Sequence, residues 1–205
     1  MLIKIYPDNP NPKHVANVFE ILKSDGVIIY PTDTVYALGC DVFNTRAVDR
    51  LATIRGKKIE KADFSFIFPD LSNLSEYTKP LDNKIFKLMK KNLPGPFTFI
   101  LNANNRIPKL FKNRKKTLGI RIPDNPVILE IVKKLGNPIL TTSVHDDDEV
   151  IEYTTDPELI HEKYEKIVDC VVDGGYGKNE ASTVIDCTSG DEPVIIRQGI
   201  GIFEQ

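Results

Sequence analysis

The chain has 205 residues, a formal net charge of −2 and an ordinary globular composition, with 41% hydrophobic and 27% charged residues. These values exclude a protein that binds nucleic acid through overall basicity, because phosphate neutralisation needs an excess of Lys and Arg. No apolar run approaches membrane-spanning length, and the first dozen residues are polar and proline-rich. We therefore expect a cytoplasmic protein with no signal peptide and no membrane partner.

Apolar residues recur at helical spacing in several segments, and glycine or proline stands at many of their ends. Pro12 suits the first turn of the first helix, Gly56 and Gly136 end two others, and Asp156 is placed to cap the last. The predicted helices are 13–23, 45–55, 84–92, 126–135 and 157–164.

Short apolar runs between these helices have the length and composition of strands buried in a sheet. The predicted strands are 27–30, 64–68, 98–101, 118–122, 139–142, 168–172, 183–187 and 194–196. Strands alternate with helices early, whereas the last three strands come nearly in succession. This order predicts an α/β protein with a mixed, twisted open sheet and packed helices, and one domain over residues 1–205.

The first candidate site is the segment Tyr30–Gly39, which follows a predicted buried strand. Thr32 and Thr34 alternate, so both hydroxyls could face a ligand at the strand end, where ligands of open sheets tend to bind. The alternative is a turn in which the threonines cap the backbone locally.

The second candidate is a cluster of cations at the predicted end of a helix, formed by Arg55, Lys57, Lys58 and Lys61. Such a cluster could hold a polyphosphate, with Lys as a point charge and Arg as a bidentate donor. The alternative is a solvated group of cations that the helix dipole favours at a C-terminus.

A third group of polar side chains follows the strand at 139–142. Thr141 and Ser143 offer hydroxyls, and His145 could act as an acid or base, or be an exposed loop residue beside Asp146–Asp148. Those carboxylates could hold Mg²⁺, but they lack the spacing of a calcium loop and also suit a solvated acidic turn.

Arg121 stands between Ile120 and Ile122 on a predicted interior strand. An arginine is rarely buried without a partner, so we expect a carboxylate there: Asp33, Asp173 or a ligand.

The fifth candidate is Asp173–Gly175, followed by Ser182 and Arg197, which could complete an anion site. The chain has no phosphate loop of the GxxxxGK[ST] type, no GxGxxG, no GxSxG and no HExxH. Common nucleotide hydrolases, dehydrogenases and serine hydrolases therefore have little support.

Taken in order, these segments resemble the Sua5/YrdC/YciO family over nearly the whole chain, and the chain length and the YALGC segment resemble its short YciO-like branch. The segments that carry the resemblance are Pro31–Gly39, Leu93–Thr98, Gly119–Pro126, Thr141–Ser143, Asp173–Gly175, Ser182–Asp186 and Arg197–Gly199.

The resemblance implies a fold with a large, basic cavity and the synthesis of L-threonylcarbamoyl-AMP from L-threonine, bicarbonate and ATP. That reaction begins the formation of threonylcarbamoyladenosine in tRNA. ATP would be a substrate accompanied by Mg²⁺, and no prosthetic group is implied. Further implied partners are tRNA or double-stranded RNA and proteins of the tRNA-modification pathway.

The resemblance also assigns roles to residues. It implies catalytic roles for Arg55, Lys57, Ser143 and His145, and nucleotide contacts for Lys57, Lys61, Thr117, Ser143 and Arg197. It implies threonine contacts for Thr34, Arg121, Thr141 and Ser182. Three features differ from the family's pattern: Arg55-Gly-Lys57 replaces Lys-x-Arg, Ser143-Val-His145 replaces Ser-x-Asn, and Ala181 replaces a Glu that often precedes the Ser-Thr-Val run. A nucleotide- or RNA-binding module with little or no synthase activity is therefore the alternative, and carbamoyl transfer to another amine is a third.

Overall fold

The structure is a computed structural model that describes residues 1–56, 64–104, 116–144, 152–189 and 192–204, with the backbone alone for residues 152 and 153. The helices are α1 Pro12–Lys23, α2 Thr45–Ile54, α3 Asn83–Asn92, α4 Pro126–Leu135, α5 Glu152–Thr155 and α6 Pro157–Tyr164. None of these described helices is long and apolar enough to span a membrane.

The strands are β1 Leu2–Lys4, β2 Ile28–Tyr30, β3 Ala37–Asp41, β4 Ser65–Ile67, β5 Phe97–Asn102, β6 Thr117–Arg121, β7 Ile139–Ser143, β8 Cys170–Asp173, β9 Thr183–Asp186 and β10 Val194–Arg197. They form one ten-stranded open sheet in the order β1-β8-β2-β3-β7-β4-β6-β5-β9-β10. Four neighbouring pairs are parallel and five antiparallel, which confirms the predicted mixed α/β sheet.

Side-chain hydrogen bonds fix where several helices begin. Asn11, Asp82, Asn125 and Asp156 each occupy the N-cap position and accept from backbone N–H groups of the first turn. The C-terminus of α4 is Gly136 in the left-handed conformation, at φ 77°. The predicted cap at Asp156 and the predicted end at Gly136 are thus confirmed.

Two strands were not predicted. β1 has only three residues, and β3 has the sequence Ala-Leu-Gly-Cys-Asp, with no β-branched residue and a central glycine. Each has a pairing partner distant in sequence: β1 pairs with β8, and β3 pairs with β7 as well as with the neighbouring β2.

The two faces of the sheet are covered differently. The larger core cluster contains α2, α3 and α6 with residues from strands across most of the sheet. The second cluster packs α1 and α4 against β1, β8, β2, β3, β7 and one residue of β4, and among its described members there is none from β5, β6, β9 or β10. The face that carries α1 and α4 therefore has a half without a described helix, over β4, β6, β5, β9 and β10.

The cap at α4 provides a test of this architecture. Asn125 Oδ1 accepts from the amides of Val127 and Ile128, at 3.1 and 3.4 Å. Asn125→Ala should lower the free energy of unfolding by about 1 kcal/mol, because two amides lose their acceptor. Chemical denaturation measures this. The matched control is Asn83→Ala, the exposed first residue of α3, and an equal loss in both variants would contradict the assigned cap.

Candidate functional site

The half-face without a described helix carries polar side chains in two rows across the strands. In the first row, Ser65 pairs with Thr141 on one side and with Gly119 on the other. A methyl group at Gly119 would lie 2.7 Å from Ser65 Oγ and 3.1 Å from Thr98 Cγ2. Because Gly119 has no side chain, the side chains of Ser65 and Thr98 can approach its backbone.

The second row contains two arginines. The antiparallel register of β5 and β6 places Thr98 opposite Arg121, and Val184 of β9 pairs with both Thr98 and Arg197. Because paired residues point to the same side of a sheet, Arg121 and Arg197 face the same space from β6 and β10. We call the group formed by Ser65, Thr98, Gly119, Arg121, Ser182 and Arg197 the open half-face, because no described helix covers it; of its members only Arg197 is exposed.

Arg121 is the most constrained charge of this group. It is 5% exposed, and its Nη2 donates to Asp33 Oδ1 at 3.1 Å and to Thr34 Oγ1 at 3.0 Å. Its Nε is buried and has no partner among the described residues. Burial lowers the pKa of Arg121 from its ordinary value. The Asp33 carboxylate raises this pKa, whereas the positive charge of Arg197 lowers it further. Arginine does not deprotonate in proteins, so Arg121 is a cation whose Nε donor has no described partner.

The predicted need for an acceptor at Arg121 is met by Asp33, whose side chain is 7% exposed. Asp173, the other carboxylate considered, instead lies 3.7 Å from Lys4 Nζ at the opposite end of the strand order. The second Asp33 oxygen accepts from the backbone N–H of Asp124 at 3.1 Å. Asp33 thus joins β6 to the chain that enters α4.

A directional chain of hydroxyls supports this ion pair. Thr32 Oγ1 donates to Val35 O at 2.7 Å, so the same oxygen is free to accept from Thr34 Oγ1 at 3.0 Å. Thr34 Oγ1 in turn accepts from Arg121. Thr34 is fully buried, so its hydroxyl helps to hold the guanidinium in place. The structure thus has the turn with local capping that was the alternative for this segment, and contact of these hydroxyls with a ligand stays a prediction.

Tyr30 opens the first candidate segment, but its side chain was assigned no role. Its hydroxyl donates to Thr141 Oγ1, which itself donates to Leu38 O at 3.0 Å. The ring crosses β3 where Gly39 has no side chain, since a methyl there would lie 2.8 Å from Tyr30 Cε1. Burial raises the Tyr30 pKa above its ordinary value, opposed by the bond to Thr141 and by the charge of Arg121, so the phenol stays neutral.

Ser182 and Arg197 are in contact, and their predicted role in an anion site stays a prediction. Arg197 Nε and Nη2 donate to Ser182 O at 3.2 and 2.8 Å, and Ser182 Oγ lies 2.8 Å from Thr98 Oγ1. Arg197 is exposed, whereas Ser182 is 4% and Thr98 6% exposed. Thr98 was not assigned a role, although it belongs to the Leu93–Thr98 segment noted above. Asp173–Gly175 do not join this group, because Asp173 is held at β8.

Two of the residues predicted to bind nucleotide, Ser143 and Thr117, lie at another end of the sheet. Ser143 ends β7 and Thr117 begins β6, with β4 between these strands, and both residues are half-buried. Thr117 lies about 13 Å from Arg121 along the strand. Arg55 caps the C-terminus of α2, which packs on β3 from the other face. Lys57, Lys58, Lys61, His145, Asp146–Asp148 and Glu149 lie outside the described residues.

Within the described ranges, no three His, Cys, Asp or Glu side chains are grouped so that they could hold a metal ion. The open half-face carries donor groups of the kind that bind anions. It combines a buried guanidinium with a free donor, a second arginine anchored by a carbonyl, and small hydroxyl residues between them.

Comparison with known proteins matches residues 20–199 to the model of the Sua5, YciO and YrdC proteins, which is described as "Telomere recombination". The uncharacterized protein YciO of Escherichia coli K12 is 41% identical over 199 residues, covering 96% of this chain and 94% of that protein. The crystal structure of E. coli YciO is similar with a TM-score of 0.89 at 40% identity, covering 98% and 97% of the two chains.

More distant relatives have named activities or ligands. A threonylcarbamoyl-AMP synthase of Coxiella burnetii is 28% identical over 178 residues, covering 86% of this chain and 94% of that protein. The structure of P. abyssi Sua5 complexed with L-threonine has a TM-score of 0.84 at 21% identity and covers 97% of this chain and 57% of that one. At that identity the second similarity shows the shared fold.

The buried ion pair yields a prediction about stability. Asp33→Ala should lower the free energy of unfolding by about 3–5 kcal/mol, because Arg121 would stay buried without a counter-charge. Thermal unfolding should show a melting temperature lower by about 10 °C.

The control for this substitution is Asp124→Ala. Asp124 is exposed and contacts Asp33 through its backbone N–H, which alanine keeps. This variant should change the stability by less than about 0.5 kcal/mol. Equal stability of the Asp33 and Asp124 variants would show that the ion pair does not hold the structure.

Proposed function

The chain belongs to the family of Sua5, YciO and YrdC proteins, and from this premise we propose that it forms L-threonylcarbamoyl-AMP and pyrophosphate from L-threonine, bicarbonate and ATP. The observation that carries the proposal is the unused Nε donor of Arg121, buried beside the open half-face. A fixed cation with a free donor suits a substrate carboxylate, which an amino acid supplies.

The proposed reaction needs no nucleophile from the protein. The amine of threonine adds bicarbonate with loss of water to give a carbamate, and a carbamate oxygen attacks the α-phosphorus of ATP. The bond from that phosphorus to the β-phosphate bridging oxygen breaks, and pyrophosphate leaves. The protein must then position two substrates and neutralise charge on the transferring phosphorus.

We place the amino acid at the Arg121 end of the site. Arg121 would bind its carboxylate, while Thr141 and Ser182 would line the pocket and Thr34 would hold Arg121 in position. Each of these side chains lies on a strand or is hydrogen-bonded to one. The site is therefore organised before substrate arrives, which reduces the entropy lost on binding.

The nucleotide would lie towards the other end of β6 and β7, beside Thr117 and Ser143. Arg55, Lys57, Lys61 and His145 would meet the phosphates there, and Arg197 would approach them from the edge strand. Mg²⁺ would arrive with the triphosphate, because hard cations are held largely by phosphate oxygens in such sites. We further propose that residues 1–205 act as one domain around a basic cavity, in a cytoplasmic pathway of tRNA modification with its partner proteins.

A second candidate function is a nucleotide- or double-stranded-RNA-binding module that has kept the fold without efficient synthesis. The observation in its favour is the pair of departures at the phosphate end, Arg55-Gly-Lys57 and Ser143-Val-His145. Arg and Lys differ in the geometry with which they bind phosphate, and His titrates where Asn does not.

The deciding experiment is incubation of the purified protein with ATP, bicarbonate and L-threonine. We expect mass spectrometry to detect the adenylate, and pyrophosphate release to require both threonine and bicarbonate. Omission of each substrate in turn is the control. If calorimetry shows that ATP binds but no adenylate forms, the binding module is favoured and the synthase proposal is wrong.

Arg121 provides the sharpest mutational test of the amino-acid end. Arg121→Lys keeps the charge but loses the planar set of donors, so threonine-dependent activity should fall about ten- to a hundredfold. ATP affinity and melting temperature should change little.

The matched control is Arg50→Lys, a half-exposed arginine that is bonded to Asp169 at 2.8 Å. It should leave the activity unchanged. A strongly destabilised Arg121→Lys protein with a normal response to threonine would show that Arg121 serves the fold alone.

A further inference from the structure

A recess lies between α3 and the 69–81 segment, away from the open half-face. Its volume is about 490 Å³, within the roughly 300–1,000 Å³ that small-molecule sites occupy. Leu71, Leu74, Leu81 and Ile122 form part of its wall. Ile122 belongs to the core on the opposite face of the sheet from Arg121, so the two sites are separated by the sheet.

The rim of this recess is positively charged. Lys79 and Lys90 line it, and neither pairs with a carboxylate in the part of the chain that the structure describes. The one carboxylate at the recess, Asp70, already accepts from Ser72 N at 2.7 Å. Helix α3 carries four lysines and no acidic residue, although the whole chain has a net charge of −2.

An exposed aromatic ring completes the recess. Phe86 is 40% exposed, whereas Phe97 and Phe99 are 5% and 0% exposed. Phe86 extends the apolar wall to the surface beside Lys90, one helical turn further along α3. An apolar wall that leads to a positively charged rim is complementary to a molecule with an apolar body and an anionic end.

We propose that this recess binds an amphipathic organic anion, whose apolar body lies among the leucines and Phe86 and whose carboxylate or phosphate lies between Lys79 and Lys90. A single anionic group fits best, because Asp70 would repel a second one nearby. The apolar wall and the small number of cations disfavour a polyphosphate. This binding is independent of the proposed synthase reaction.

The test uses the full chain and decanoate as the probe, with decyl phosphate as a second head group and decanol as the neutral control. Calorimetry and ¹H–¹⁵N NMR spectra should show saturable decanoate binding, with the largest shifts at the amides of Leu71, Leu74 and Ile122. Decanol should bind about tenfold more weakly or not at all. If decyl phosphate binds more tightly than decanoate, the anionic head group of the ligand is a phosphate.

Two substitutions and one control variant test whether decanoate binds in this recess. Lys90→Glu should weaken decanoate about tenfold, because it replaces an attractive charge by a repulsive one. Lys87→Glu is the matched control, an equal charge change on the same helix outside the recess, and should change the affinity by no more than about twofold. Ser75→Phe, at an exposed position of the wall, should abolish binding by filling the space. Equal loss in the two charge variants, equal binding of decanol, or shifts spread over the whole protein would overturn the proposal.

Discussion

Burying one positive charge against the sheet is the constraint on which much of this structure depends. Arg121 stands on an interior strand, and a buried guanidinium without a counter-charge would be very costly. Asp33 supplies that charge from a segment 88 residues away in sequence. The segment that carries Asp33 must therefore fold over the sheet, and its turn is held by Thr32, whose oxygen also organises Thr34. The Asp33 carboxylate also accepts a hydrogen bond from the backbone N–H of Asp124, the residue before the N-cap of α4.

Helices α1 and α4 cover only half of their face of the sheet, because the strands of that half present most of the large apolar residues on it. On the face of α1 and α4, strands β2, β7 and β8 present Ile28, Ile139, Cys170 and Val172, and the two helices pack on them. On β6 and β5 the same face presents Gly119, Arg121 and Thr98, which give a helix little apolar surface to bury. The site is thus a direct result of the strand sequences. Gly39 adds to it, since the absence of a side chain lets Tyr30 cross to Thr141.

Much of the local structure could be predicted because its causes lie close together in sequence. The helices have apolar stripes and caps within a few residues, and the strands that were found are rich in apolar residues. β3 could not be found in this way, because Ala-Leu-Gly-Cys-Asp becomes a strand only between β2 and β7. The need of Arg121 for an acceptor was visible in the sequence, but the choice of Asp33 over Asp173 depends on the strand order. Tyr30 and Thr98 were missed because their partners, Thr141 and Ser182, lie 111 and 84 residues away.

The two ends of the proposed site are built differently, and this has a consequence for how substrates would bind. At the Arg121 end the functional groups lie on strands or are bonded to one another, so their positions are set when the protein folds. At the other end the described groups are a strand terminus at Ser143, a strand start at Thr117 and a helix cap at Arg55. Groups at the ends of elements are held by fewer neighbours than groups within a sheet. In the proposed function, a small amino acid with one carboxylate would meet a rigid, preorganised partner, and such a partner would reject analogues that leave its donor unpaired. Specificity for the amino acid would reside in the sheet, whereas the exchange of Arg and Lys at residues 55 and 57 falls at the end that would meet the phosphates.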